Sequence, residues 1–163
     1  MPSDYLLVID GIKGESQDAK HKDAIEIDSF SFGETNTGSF AFGTGGGTGK
    51  VNFQDMHFST RVNKASPNLM IACATGKHIN KATLYARKST GDGGQQEFLT
   101  ITLEDVLVSS YQTGGHDGNG HSTLPTDQFS LNFAKIELAY KPQEDTGKLG
   151  AAITAKYDVR AQK

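Results

Sequence analysis

Apolar and polar residues alternate with period two through most of the chain, the spacing of a half-buried strand. Seven runs carry this pattern: "DYLLVIDG", "AIEIDSFSFGE", "KVNFQDMHFST", "KATLYARKS", "QEFLTITLEDVLVSSY", "DQFSLNFAKIELAYKP" and "GAAITAKYDV". Gly, Asn, Asp and Pro clusters separate them and punctuate the turns. One stretch departs from alternation. In "ASPNLMIACATGK", Ser66 has the chemistry of a helix cap, Pro67 suits the first helical position and Gly76 suits the position after the last turn. The spacing predicts one short α-helix there.

Several runs change face midway. Ile25 and Ile27 share one parity, whereas Phe30 and Phe32 share the other. Val51 and Phe53 give way to Met56 and Phe58, and Phe129, Leu131 and Phe133 give way to Ile136, Leu138 and Tyr140. Such a switch requires a bulge, a bend, or a strand whose two halves bury opposite faces. A small β-barrel, with strands passing between two packed sheets, satisfies that requirement. Apolar residues on a second face also need a cover, which makes self-assembly a natural expectation, with Phe30, Phe32, Ile136, Leu138 and Tyr140 as the surface to be covered.

The length of 163 residues predicts one domain over 1–163 with a core of its own. A hydrophobic fraction of 36%, nineteen glycines and no tryptophan fit a turn-rich globular protein. The net charge of -3 offers no general attraction to nucleic acid or anionic lipid. "MPSDYLLVIDG" lacks the basic start and cleavage-like end of a signal peptide, and no apolar run approaches bilayer length, so a protein soluble when made is expected. The single Cys73, in "MIACATG", cannot form an internal disulfide and reads as a small buried hydrophobe.

Candidate chemistry changes this picture little. "GTGGGTGK", Gly43 through Lys50, imitates a phosphate-binding loop, but Thr44 replaces the first glycine and Val51 the magnesium-binding hydroxyl. Strand-like sequence flanks it on both sides, where a P-loop would lead into a helix. The stretch reads instead as a long hairpin tip, with Phe40, Phe42, Gly43, Gly45, Gly46, Gly47, Gly49 and Lys50 as candidates for contact with another subunit or ring. In "GGHDGNGHS", His116, Asp117, Asn119 and His121 could approach a metal, but Ser122 and Gln128 break the calcium-loop pattern and no third strong ligand is evident. The chain has no Gly-x-Ser-x-Gly elbow and no His-Glu-x-x-His, and His21, His57 and His78 are scattered. "GESQDAKHKD" has the composition of a solvated loop in which Asp18 and Lys22 pair weakly. Neither catalysis nor a cofactor is expected. A small metal- or nucleotide-binding enzyme using the Gly-rich loops is the alternative from another class.

The stretches "YLLVIDGIKGESQDAKHKDAIEI", "SFSFGETNTG", "GGGTGKVNFQDMHF", "ASPNLMIACATGKHI", "LEDVLVSSYQTGG" and "FSLNFAKIELAYKPQ" resemble, in order and over nearly the whole chain, the haemolysin-coregulated (Hcp) proteins of the bacterial type VI secretion system. Phe30 and Phe32 stand where that family often has Trp, and "KYDVRAQK" replaces its usual Gly-Trp ending. The resemblance implies a mainly β fold, a barrel subunit with one helix similar to phage tail tubes, forming homohexameric rings that stack as the inner tube of a contractile injector. It implies sheath and spike proteins and secreted effectors as partners, and export from the cytoplasm without a signal peptide. A phage-like tail tube protein is the nearest alternative, and the ending without an added domain is unlike the toxin-fused variants. In "DSFSFG" the phenylalanines share one strand face and Ser29 and Ser31 the other. The resemblance puts Ser31 in the segment associated with the ring interior, so Ser29 and Ser31 are the expected effector-facing residues.

Overall fold

A computed structural model of the chain describes residues 4–37, 50–89, 94–117 and 124–163. Its strands are β1 (Tyr5–Ile9), β2 (Ile25–Ile27), β3 (Ser29–Ser31), β4 (Glu34–Asn36), β5 (Val51–Phe53), β6 (Met56–Arg61), β7 (Ile79–Ser89), β8 (Gln95–Gly114), β9 (Thr126–Tyr140) and β10 (Ile153–Asp158), with α1 (Ser66–Thr75) between β6 and β7. The main sheet is antiparallel in the order β2-β1-β7-β8-β9-β6-β3, with β10 added to β9, and β4 and β5 form a separate two-stranded sheet. The outermost strands of that order, β2 and β3, are consecutive in sequence. At their junction the Asp28 N–H donates to the Ser59 carbonyl (2.9 Å) and the Thr60 hydroxyl donates to the Glu26 carbonyl (2.6 Å). The sheet thereby curls onto itself as a nearly closed barrel, the mainly β fold expected from the alternation.

The three face switches are solved in different ways. The run 25–32 breaks at Asp28 into β2 and β3, and the run 51–58 breaks at Gln54 and Asp55 into β5 and β6. In β9 the chain stays continuous, and burial passes from Phe129, Leu131 and Phe133 to Ile136 across Ala134. Its partner β8 switches in step, from Ile101 and Leu103 to Val106 and Val108, because Asp105 adopts a left-handed conformation (φ 54°). Register is therefore the same on both sides of the switch, where Glu104 faces Lys135 and Val106 faces Phe133.

The barrel interior is filled by Leu7, Ile25, Ile27, Met56, Leu84, Leu103 and Leu131, with Phe58 stacked on Phe129 at 5.1 Å. A second aromatic group joins the β4–β5 sheet to β9 and β10. Phe53 lies 6.2 Å from Phe32, 6.0 Å from Phe133 and 5.3 Å from Tyr157 between ring centroids. Phe30 packs edge-on against Tyr5 at 5.1 Å. Ile136 is thus buried, and Phe30 and Phe32 are partly buried against the chain's own core, contrary to the expectation that all five second-face residues await a neighbour. Leu138 (37% exposed) and Tyr140 (40%) do remain at the surface, beside Ile153 (66%), which pairs with Tyr140 across β9 and β10.

Helix α1 buries Ser66, Leu69 and Ala72, spaced three apart, and packs on β8. Gly76 ends it in the left-handed conformation (φ 63°), as expected. Ser66 is not its cap. Ala65 holds that position with helical angles and no side-chain bond, while Asn63 Oδ1 accepts the Ala65 N–H at 2.8 Å. The Ser66 hydroxyl turns inward and donates to Asp127. Cys73 is half-buried against the core.

The segment between β1 and β2 keeps Glu15, Gln17, Lys20 and Lys22 exposed, but Asp18 and His21 tie it to the sheet. Asp18 pairs with Arg87 of β7 at 2.5 Å, not with Lys22, because Arg87 lies buried in the sheet beneath it. His21 pairs with Glu97 of β8 and stacks on Tyr85 at 4.0 Å. The Arg87 hydrogen bond is the main cause that keeps the Asp18 carboxyl below the ordinary value of 3.8, and it outweighs burial, which pushes the carboxyl up.

Candidate functional site: a polar sheet face

Ser29 and Ser31 both lie exposed on the outer face of β3, opposite the half-buried Phe30. Antiparallel register extends that face across three more strands, since directly opposed residues share a side. One row runs Ser29, Ser59, Gln128, Gln112 across β3, β6, β9 and β8. The next runs Ser31, His57, Ser130, Ser110. Beneath the face, the inward residues Met56, Phe58, Phe129 and Leu131 belong to the core.

The wall is braced by hydroxyls. Ser29 and Ser59 share a hydrogen bond of 2.5 Å. A bulge in β8 at Ser109 brings both Ser109 (2.7 Å) and Ser110 (2.5 Å) onto Ser130, which is buried beneath them. Asp55, just before β6, accepts from Ser109 at 2.6 Å and from Asn132 at 2.8 Å. These groups donate and accept without carrying charge, apart from Asp55 at one end and Arg61 at the other. A groove of about 690 Å³ runs among Asp4, Glu15, Glu26, Asp28 and Arg61, and meets the wall only at Arg61.

Of the other residues singled out by sequence, Phe40, Phe42, Gly43, Gly45, Gly46, Gly47 and Gly49 lie outside the described residues. Lys50 is exposed directly before β5. His116 and Asp117 are exposed after β8, and Asn119 and His121 lie outside the described residues. Among the described residues no three His, Cys, Asp or Glu side chains come together in a way that could hold a metal, and no helix is long and apolar enough to cross a membrane. Sequence reading missed His57, Ser59, Ser110, Gln112, Gln128 and Ser130. Their polar parity was visible strand by strand, but only register places them on one wall.

The family model described as "Type VI secretion system effector, Hcp" matches residues 6–140. This chain belongs to the Hcp family. A curated relative, the Hcp1 protein of Pseudomonas aeruginosa, is 42% identical over 161 residues, covering 98% of this chain and 97% of that protein. Among solved structures, a type six secretion system protein superposes with a TM-score of 0.87 at 28% identity, covering 98% of this chain and 97% of that one. Hcp1 from Salmonella typhimurium gives 0.75 at 33% identity, with 98% and 96% covered. The barrel, its helix and its strand order are therefore those of an Hcp protein of type VI secretion.

Proposed function

We propose that this Hcp protein is a structural subunit of the type VI inner tube. It forms hexameric rings that stack, leave the cell with the tube, and carry effectors against the wall of Ser29 and Ser31. The observation that carries this reading is the face itself: four strands present short hydroxyls and neutral amides outward, over a core that is fully covered on the other side. Such a surface lines a channel well, because it leaves room and binds a passenger through hydrogen bonds without an adhesive apolar patch. The strip of Leu138, Tyr140 and Ile153 supplies apolar area for contact between subunits. The segment from Phe40 to Lys50 serves contact with a neighbouring subunit or ring, and sheath and spike proteins are the further partners. The protein is made in the cytoplasm and delivered by the secretion machine, with no catalytic role and no cofactor.

Electron microscopy of the purified protein tests the ring, and co-purification of an effector with Ser31→Gln rings tests the wall. The expected result is rings of normal size that retain less effector, because the longer side chain crowds the channel. Monomers alone at micromolar concentration would defeat the ring, and undiminished retention would remove Ser31 from the binding surface.

A further inference from the structure

We infer that Asp55 turns the hydroxyl protons of Ser109, Ser110 and Ser130 inward, so that this corner of the wall holds passenger segments bearing lysine or arginine in preference to acidic ones; this rests on the reading of the wall as the passenger-facing surface. A carboxylate accepts hydrogen bonds and cannot donate them. The contact of 2.6 Å between Ser109 and Asp55 therefore commits the one proton of the Ser109 hydroxyl. Ser109 also bonds Ser130 at 2.7 Å, where it can now only accept, so Ser130 donates. Ser130 lies 2.5 Å from Ser110 as well, and with its own proton given to Ser109 it accepts from Ser110. The protons run in one direction, from Ser110 to Ser130 to Ser109 to Asp55.

Ser109 and Ser110 are exposed, whereas Ser130 is buried beneath them. Ser110 gives its proton to the interior and shows a passenger only lone pairs. Asn132 donates one amide N–H to the other Asp55 oxygen at 2.8 Å and keeps its carbonyl oxygen and one N–H. Ser29 and Ser59, across the wall, differ: they share one hydrogen bond between two hydroxyls with no carboxylate to direct it, so one proton is left over for a passenger. Both partners of Asp55 are neutral, so its charge meets no cation at these contacts. Arg61, at the far end of the wall, is about 20 Å away along the extended strand, past the screening length of about 8 Å in physiological salt. Ammonium and guanidinium groups bring only donors and a positive charge, whereas a carboxylate brings only acceptors and a negative one. Hydrogen bonding and charge therefore favour the same passenger at this corner. A ring repeats the corner around one channel, so spaced lysines engage several copies at once.

The test uses purified rings of the wild type, Asp55→Asn and Ser109→Ala, with two labelled flexible peptides of equal length, one Lys/Ser and one Glu/Ser, at a single neutral pH. His57, beside Asp55 in the sequence, is common to all three proteins, so its contribution cancels in the comparison. Wild-type rings should retain the Lys/Ser peptide severalfold better than the Glu/Ser peptide, and Asp55→Asn rings should hold the two alike. Ser109→Ala keeps the carboxylate but cuts the chain of protons, freeing Ser130 and Ser110 to donate, and its preference should fall between the other two. Acetylating the lysines of the first peptide removes their charge and should lower its retention on wild-type rings severalfold, a measurement that does not depend on a variant assembling. A preference in Ser109→Ala equal to that of the wild type overturns the directed protons. No preference in the wild type, while Ser31→Gln still weakens effector retention, overturns the role of Asp55 and leaves the wall intact. Retention of neither peptide, together with no effect of Ser31→Gln, overturns the wall reading and this inference with it.

Discussion

Arg160 donates to Asp105 at 2.5 Å, fastening the last turn of the chain to the one residue of β8 that adopts a left-handed conformation. Opposite Asp105, the Val159 N–H donates to the Ala134 carbonyl at 2.7 Å, so the tail is tied to both strands where they change face. His78 reaches the same carboxylate at 3.1 Å, and its hydrogen bond is the main reason the Asp105 pKa lies below the ordinary 3.8, followed among the favourable causes by the charge of Arg160. The divergent ending "KYDVRAQK" thus has its own anchor.

Loosening that anchor should free the tail without unfolding the barrel. Arg160→Ala is expected to speed exchange of the Val159 amide while leaving the core amides protected, as read by hydrogen exchange. Asp105→Ala should also lower the melting temperature, because alanine tolerates positive φ less well than aspartate, whereas Asp105→Gly should keep the backbone. Since the folded pKa is depressed, the contact contributes above pH 3.8 and is lost as pH falls through the lower folded value. Tail resonances followed by NMR should move in that acid range.

Asp18 ties the β1–β2 segment to the sheet through Arg87. Asp18→Ala should cost about 1.5–3 kcal/mol in urea unfolding, the worth of a hydrogen bond to a charged group. The Asp18 pKa is lowered, mainly by the Arg87 hydrogen bond, so this stabilisation is present above pH 3.8 and fades below it. Wild type and Asp18→Ala should therefore converge in stability under strong acid. An equal gap at all pH values would contradict the linkage.

Ser66 and Tyr111 supply the two hydroxyls on buried Asp127, the latter at 3.0 Å. Burial and the nearby carboxylate push the Tyr111 pKa up. Ser66→Ala should cost about 1–3 kcal/mol, because it withdraws a donor from a carboxylate that water does not reach. Gly76→Ala, at φ 63°, should cost about 1 kcal/mol at the other end of α1. Chemical denaturation of each variant measures both.

Leu138 and Ile153 are the contrast to the core. Leu138→Ser with Ile153→Ser should leave the unfolding midpoint of the subunit nearly unchanged but shift sedimentation toward smaller species, if this strip covers a neighbour. Leu69→Ala, at a fully buried position of α1, should instead cost about 2–5 kcal/mol within the subunit. Normal rings from the double variant would remove the strip from the interface.

Ile25/Phe30 and Val51/Met56 showed in the sequence that the strands change face, because side-chain parity is a local property of the chain. The means of change was not legible: a break at Asp28, a break at Gln54–Asp55, and a paired kink at Asp105 and Ala134 leave similar patterns. Pro67 and Gly76 marked the helix through backbone preferences that act within a few residues. Ser66 misled because its hydroxyl had a long-range partner, Asp127, sixty-one residues away.

Alternation, turn residues and the Pro–Gly bracket determined by themselves a mainly β chain with one short helix, since these signals depend on neighbours in sequence. They also put Ser29 and Ser31 on the face away from Phe30. Only the tertiary structure decided that Phe30 and Phe32 pack against their own core, that Asp18 belongs to Arg87, and that His57, Gln112 and Gln128 join the serines on one wall. Each of those facts depends on which strands pair and in what register, and register is set by the packing of the whole barrel rather than by any single strand.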